Sequence, residues 1–383
     1  MSRIPFTRAH LTGRELEYIA RAVSENHLSG DGGFTKRCNA WLEERIGCAK
    51  ALMTPSCTAA LEMAAILADI GPGDEVIMPA FTFASTANAF VLRGGVPVFV
   101  DIDPVTFNLD HHLIEQAVTP RTRAIVPVHY AGVGCEMDAI LDIATRHRLY
   151  VIEDAAQGIL SSYRGRPLGS FGQLAALSFH ETKNVVAGEG GALLINDPEL
   201  IARAEIIREK GTNRTQFFRG QGDKYTWVDI GSSYLPSEIV SAFLLAQLEN
   251  ADAIQHDRLR IWNAYYDAFE PLEARGFLLR PTIPSDRSNN AHAFYVLVRD
   301  LPTRTHVIES LTRQHISAVF HYVPLDTSPA GRRYARAAGP LPVTHSISER
   351  IIRMPLWVGM TADEIGRVVA ETADALAAAP VIA

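Results

Sequence analysis

From residue 52 to residue 196, short apolar runs alternate with helical stretches: LMTP (52–55), EVIMP (75–79), VFVD (98–101), AIVPVH (124–129), LYVIED (149–154), LAALSF (174–179) and GALLIN (191–196). The runs are nearly continuous in Val, Ile and Leu, which suits strands whose two faces are both covered by helices. Strands alternating with amphipathic helical stretches make a largely parallel sheet. The expected fold class is therefore α/β.

At 383 residues the chain exceeds the size at which one hydrophobic core stops growing, about 250–300 residues, so a large and a smaller unit are expected. Thr12 and Glu15 have capping-box spacing and predict a helix to about His27 ahead of the first strand. From Pro236 to about Phe269 the pattern is one long helix, followed by a new αβ segment with strands AFYVLV (293–298) and AVFHYV (318–323). Thr361 and Glu364 open a final Ala-rich helix. The expected division is a large domain at 1–235 with an N-terminal helical arm, a linking helix at 236–270 and a small C-terminal α/β domain at 271–383.

The formal charge of −7 is spread without long runs, so no basic stripe is present to neutralise the phosphates of a nucleic acid. No apolar run reaches the roughly 18 residues that span a bilayer, and the opening MSRIPFTRAHLTGREL has no signal-peptide pattern; the expected location is the cytoplasm. Cys38, Cys48, Cys57 and Cys135 form no C-x-x-C pair and are expected as free thiols. Asn213-Arg214-Thr215 matches a glycosylation sequon, read as chance in such a chain.

In parallel α/β sheets, ligands bind beyond the carboxyl ends of the strands. Asp154 ends LYVIED at that edge, where a lone aspartate is equally a helix N-cap. Lys183 follows LAALSF in the segment SFHETKN and brings a second reactive group to the same edge. A lysine beside a crowded cofactor loses part of its preference for the charged form, and its neutral amine attacks an aldehyde. An aspartate close to a pyridine nitrogen stabilises the protonated ring, which draws electrons from an adjoining carbanion.

Thr54-Pro55-Ser56-Cys57-Thr58-Ala59-Ala60 runs from a strand into a helix, whose first N–H groups receive a phosphate; the alternative is an ordinary Ser/Thr cap. Cys57 also admits a nucleophilic reading, because a helix N-terminus lowers a thiol pKa, but no His partner is evident. Phe81-Thr82-Phe83 follows EVIMP, and its rings either stack on a flat cofactor or fill the core. His129, His180 and His321 each end or follow a strand without metal-ligand spacing, so hydrogen bonding or packing is expected of them and no metal. The chain lacks a G-x-x-x-x-G-K-[ST] loop, a G-x-G-x-x-G after the first strand and a G-x-S-x-G elbow, which removes support for nucleotide hydrolysis, hydride transfer and serine hydrolysis.

Taken together and in order, TPSCTAALEMA, PAFTFASTANAF, VPVHYAG, VIEDAAQG, SFHETKN and GEGGALL resemble the nucleotide-sugar aminotransferases of the DegT/DnrJ/EryC1/StrS family, a fold-type I pyridoxal-phosphate group. The resemblance covers nearly the whole chain. It implies pyridoxal 5'-phosphate as cofactor, present as pyridoxamine phosphate in the half-reaction, with Lys183 as the Schiff-base lysine. It further implies Asp154 as partner of the pyridine nitrogen, Gln157 at the ring's 3-oxygen and Phe83 as the stacking ring. Cys57, Thr58 and Ser178 match the phosphate cup, to which Cys57 would contribute its backbone N–H. The family's site is shared between two subunits, which implies a homodimer or a dimer of dimers.

The implied substrates are a nucleotide-linked keto sugar and L-glutamate. GDGGFTKRC, SFHETKN and KGTNRTQFFRGQGDKYTW are most similar to the branch that converts dTDP-4-dehydro-6-deoxy-D-glucose to dTDP-4-amino-4,6-dideoxy-D-galactose. Amination at the third carbon, or of a UDP sugar, competes within the family, whereas the related 3-dehydratases carry His where Lys183 stands. From other classes, a non-catalytic cofactor-binding regulator and an enzyme built on Cys57 are the rivals. Many relatives send an Asn from the loop before the linking helix across the dimer to the phosphate; here Leu235 occupies that place in Gly231-Ser232-Ser233-Tyr234-Leu235-Pro236 and has no donor to offer. Tyr234 and Ser232 are the nearby substitutes. Arg208, Lys210, Arg214, Arg219 and Lys224 are candidates for gripping the glutamate carboxylates or the sugar diphosphate, and each is equally a solvated surface side chain.

Overall fold

The apolar runs become β1 (Lys50–Thr54), β2 (Glu75–Pro79), β3 (Val96–Val100), β4 (Thr122–Ile125), β5 (Tyr150–Asp154), β8 (Leu174–Ser178) and β9 (Gly191–Ile195) in the computed structural model, which describes residues 2–214, 217, 220 and 226–379. The small strands β6 (Ser162–Tyr163) and β7 (Arg166–Pro167) make a separate ribbon, and β10 (Phe294–Leu297), β11 (Arg336–Ala337) and β12 (Ile351–Met354) come from the last third. The main sheet has the order β1-β9-β8-β5-β4-β2-β3-β11. Every neighbouring pair is parallel except the two made by β9. No helix lies between β8 and β9, so residues 179–190 turn back as a loop and β9 must run antiparallel.

Both faces of the sheet are apolar, as the runs predicted. In β8, Leu174 and Ala176 pack into one cluster and Ala175 and Leu177 into another; in β9, Leu193 and Ile195 alternate with Ala192 and Leu194 in the same way. The helices α1 (Glu15–Ser24) and α2 (Gly33–Ile46) cover one face with Tyr18, Phe34 and Leu42. On the other lie α3 (Cys57–Leu67), apolar nearly all round, and α4 (Ala84–Val91), with α7 (Ile201–Arg208) beside them. Between α4 and α7 in sequence, α5 (His111–Ala117) and α6 (Met137–His147) pack Ile114, Ile140 and Ile143 onto Ile77, Val98, Ile125 and Val151.

Four expectations are corrected. Helix α1 starts at Glu15, not beside Thr12, because Gly13 has φ +100° and breaks the helical path between them. Only half of the capping box survives: the Glu15 carboxylate accepts from the N–H groups of Thr12 (2.7 Å) and Gly13 (2.9 Å), and from Gln247 Nε2 at 2.7 Å. The run at 124–129 is cut after Ile125; Pro127 carries no N–H, and Val128 rejoins only as an isolated bridge to Asp154. The long helical pattern after Pro236 divides at Asn250 (φ −110°, ψ 12°) into helices Glu238–Glu249 and Ala251–Ala274. AVFHYV at 318–323 forms no ladder, only a bridge between Val319 and Arg353. The box at Thr361 and Glu364 is complete and opens the helix Ala362–Ala377.

The helix Ala251–Ala274 carries Trp262, Tyr265 and Phe269 against Phe294 of β10. β10 pairs antiparallel with β12, flanked by the helices Leu301–Arg313 and Ala362–Ala377. Two distant segments lock this layer to the rest. Ile4 from the N-terminus is buried in its core, and β11 adds a parallel edge strand beside β3. There Arg336 and Arg121 both pair with the buried carboxylate of Glu75 on β2. No helix among the described residues is long and apolar enough to cross a membrane.

Candidate active site

Asp154 closes β5 at the carboxyl edge of the sheet, and Lys183 sits in the loop that leaves β8. Both line one cavity of about 590 Å³, together with Cys57, Thr58, Phe83, Gln157 and Ser178. All seven side chains anticipated for the site are thus brought together, although residues 57 and 183 are far apart in sequence.

Asp154 caps no helix. Its Oδ2 accepts from the Thr86 hydroxyl at 2.7 Å and its Oδ1 from the Ala156 N–H at 3.1 Å, while Thr82 sits 2.8 Å behind Thr86. This chain, Thr86 on α4 backed by Thr82 just before it, holds the carboxylate at the cavity. Among the described residues, no ion pair engages Lys183. Burial lowers the lysine pKa from its ordinary value, opposed by Cys57 and Asp154 and reinforced by Arg353. The neutral amine is therefore favoured more than in water, as a nucleophile or proton carrier requires.

The phosphate side of the cavity is built by a close approach. Ser56 is the N-cap of α3, and its hydroxyl accepts from the Ala59 N–H at 3.1 Å, leaving the first-turn N–H groups of Cys57 and Thr58 without intrahelical partners. Directly behind them is Gly191 of β9. A Cβ there would lie 2.3 Å from the Ser56 carbonyl carbon and 2.4 Å from the Cys57 nitrogen. Ser178 ends β8 beside this turn, and the Thr58 hydroxyl donates to Ser85 at 2.8 Å. Burial pushes the Cys57 thiol well up, with Asp154 adding to the rise and Lys183 opposing it, so its side chain is a poor thiolate; the helix start does not override burial.

Phe81 and Phe83 divide the two readings between them. Phe81 is buried against Phe107, Tyr130 and Tyr322, whereas Phe83 is 64 % exposed on the cavity wall. Gln157 accepts from the Ala131 N–H at 2.7 Å and donates to the Tyr322 hydroxyl at 3.0 Å, which leaves one amide hydrogen uncommitted. These features fit pyridoxal phosphate: N–H groups for an anion, an exposed ring for a flat face, a fixed carboxylate and an amine of lowered pKa.

Of the cationic candidates, Arg208, Lys210 and Arg214 do not line this cavity. Arg208 is buried and pairs with Asp31 at 3.0 Å, lining a separate charged cavity of about 350 Å³ with Lys36, Glu43 and Lys50. Arg214 lies 3.5 Å from Glu209, and Lys210 is an exposed turn residue with φ +64°. Arg219 and Lys224 lie outside the described residues. Tyr234 is engaged within its own chain, its hydroxyl donating to Glu62 at 3.1 Å, and Ser232 is exposed. His129 is structural: Cys135 N–H donates to its Nδ1 at 3.1 Å and its Nε2 meets Glu153 at 2.9 Å. His180 lines the cavity mouth with Thr182.

Sequence reasoning missed Phe6, His292, Tyr322 and Arg353, and gave His321 only a packing or hydrogen-bonding role. All five line the cavity from the N-terminal segment and the C-terminal layer. Phe6, His292 and Arg353 stand singly in their segments, and the adjacent pair His321-Tyr322 has no spacing that would have marked it.

A family model, the DegT/DnrJ/EryC1/StrS aminotransferase family, matches residues 10–373. The chain is 34% identical over 378 residues to the GDP-perosamine synthase of Caulobacter vibrioides, covering 97% of each. It is 32% identical over 379 residues to the spore coat polysaccharide biosynthesis protein SpsC of Bacillus subtilis, covering 97% of this chain and 96% of that one. A putative sugar aminotransferase of Streptococcus pneumoniae, solved in a PMP form, superposes with a TM-score of 0.91 at 24% identity, covering 98% of each chain, a likeness of fold. The mainly parallel sheet with its helices defines the class, a fold-type I α/β transferase. The chain belongs to the DegT/DnrJ/EryC1/StrS aminotransferase family and is a sugar aminotransferase.

Proposed function

We propose that this enzyme transfers an amino group from L-glutamate to a nucleotide-linked keto sugar, with dTDP-4-dehydro-6-deoxy-D-glucose as substrate and dTDP-4-amino-4,6-dideoxy-D-galactose as product. The observation that carries the reading is the pairing of the Lys183 amine and the fixed Asp154 carboxylate on one cavity. The cofactor is pyridoxal 5'-phosphate, which supplies an electron-withdrawing ring that makes the donor's α-hydrogen acidic. Asp154 would hold a proton at the cofactor's pyridine nitrogen, with Gln157 available to its ring oxygen and Phe83 to stack against it. The first turn of α3, with Ser178, binds the phosphate. Lys183 would take the proton from the donor's α-carbon as a base and deliver it as an acid on the cofactor side, and would carry a proton in the opposite sense, to the sugar carbon, in the second half-reaction.

The nucleotide and the aminated carbon rest on the motifs GDGGFTKRC and SFHETKN. Likeness to a GDP-perosamine synthase and to a spore coat polysaccharide protein supports a sugar destined for a surface polysaccharide and keeps GDP sugars in competition. Trp227, Val228 and Ile230 are exposed, an apolar segment suited to a second subunit of a homodimer. The test supplies each keto sugar with L-glutamate and locates the new amine by NMR. Only the dTDP-4-keto sugar is expected to yield a 4-amino product efficiently, and preference for another nucleotide or carbon overturns that assignment. Lys183→Ala is expected to lower turnover by more than about a thousandfold; a variant that still turns over sinks the catalytic reading itself.

A further inference from the structure

Arg208 ends α7 with only 2 % of its surface exposed, and its charge is met by a single bond, from Nη2 to Asp31 Oδ1 at 3.0 Å. Its Nε and Nη1 have no hydrogen-bond partner. Arg258, also buried, instead donates from both Nε and Nη2 to the carbonyls of Ala291 and His292. Arg208 lines the second cavity, of about 350 Å³, which lies between α2 and α7 beside β1. Among the described residues this cavity shares no lining side chain with the catalytic one.

The polar groups around it divide into those already used and those left over. Lys50 pairs with Glu43 Oε1 at 2.8 Å, and Asn39 Oδ1 accepts from the Met53 N–H at 3.0 Å. Glu205 is engaged as well. What remains among the described residues is chiefly donors. Besides the two Arg208 nitrogens, the amide nitrogen of Asn39 donates to nothing although the residue is buried, and the exposed Lys36 ammonium meets no carboxylate. Two acceptors remain beside them, Asp31 Oδ2 and Glu43 Oε2.

A buried donor without an acceptor, and a buried cation only partly met, are costs that a bound anion removes. Water supplies acceptors without counter-charge, whereas an oxyanion supplies both, and hydrogen bonds between ionised partners are the stronger kind. The two free carboxylate oxygens then select among oxyanions. They repel one that carries no proton, and they accept a hydrogen bond from one that does. At neutral pH inorganic phosphate keeps a proton and sulfate keeps none. The tetrahedral arrangement of phosphate oxygens also reaches donors on two helices at once, which the flat fork of a carboxylate does not.

We infer that the cavity between α2 and α7 is a second anion site, which takes inorganic phosphate with Lys36, Asn39 and Arg208 as its donors and Asp31 or Glu43 as acceptor of the phosphate's proton. Transamination does not call for such a site. An ion there ties the end of α7 to α2, so its binding stabilises the folded chain.

The test is calorimetric titration of the holoenzyme with sodium phosphate and, separately, with sodium sulfate; the bound cofactor keeps the start of α3 filled, so free phosphate reports another site. Phosphate is expected to bind and to raise the melting temperature, with sulfate at least about tenfold weaker. Lys36→Met removes one charge at an exposed position and is expected to weaken phosphate by about tenfold. Asn39→Asp keeps the acceptor for the Met53 N–H but replaces the donor with a negative oxygen, and is expected to weaken phosphate by about a hundredfold. Lys36→Met carries the test if the Asn39 variant does not fold. Wild-type enzyme that binds no phosphate overturns the site, and so does phosphate affinity unchanged in the folded variants, which would put the ion elsewhere. Equal affinity for sulfate overturns the assignment to a proton-bearing oxyanion.

Discussion

Cys57 shows how position and side chain separate at a single residue. It opens α3, where its backbone N–H is exposed to an incoming anion, but its thiol is pushed up by burial and stays protonated. Cys57→Ala is therefore expected to keep kcat within about threefold of wild type and, like wild type, to resist iodoacetamide, since the N–H it contributes does not depend on the side chain. Steady-state assays with and without iodoacetamide check this, and loss of all activity in the variant would revive a cysteine-based enzyme. Lys183 and Asp154 were legible in the sequence because each ends or follows an apolar run, and sheet geometry sends such positions to one edge. Arg353 was not legible. Its segment IIRMP reads as a strand with one polar residue, and nothing local distinguishes a guanidinium facing solvent from one facing a cavity.

Between elements, the decisive contact is that of β9 with the start of α3. Strand β9 lies between β1 and β8, so Gly191 passes directly under the Ser56–Cys57 peptide. Gly191→Ala places a methyl where no space exists and is expected to cost about 1–3 kcal/mol of stability. It should also displace the helix start, raising the dissociation constant for pyridoxal phosphate, as fluorescence titration of the apoprotein would report. Unchanged affinity would mean that the phosphate is held elsewhere. GEGGALL announces a tight approach, but not against what. The antiparallel course of β9 depends on the missing crossover helix, and only the assembled sheet shows that this course carries the glycine to α3.

The C-terminal layer reaches the large sheet through β11, and one carboxylate holds the junction. Glu75 is 1% exposed, accepts from Arg336, Thr119 and Arg121, and is lowered to about 2 from an ordinary 4.5, chiefly by Arg336. A depressed carboxylate stabilises the fold above its unfolded pKa, and the contribution is lost as pH falls from about 4.5 toward 2. The amount is on the order of 3 kcal/mol. Glu75→Gln is expected to lower stability at neutral pH and to flatten the loss on acidification, measured by urea unfolding between pH 7 and 3. Parallel acid curves for the two proteins would refute the role.

The sequence by itself determined the strands of the main sheet and the seven side chains anticipated for the cavity: apolar period, caps and the chemistry of strand ends act over a few residues, so they are written locally. The tertiary structure alone decided the pairing of β9 with β1, the docking of β11, and the arrival of Phe6, His292, His321, Tyr322 and Arg353 opposite Lys183. Those outcomes depend on which buried faces meet after more than a hundred intervening residues. Local patterning encodes that a face is apolar, whereas its partner is selected by packing of the whole chain.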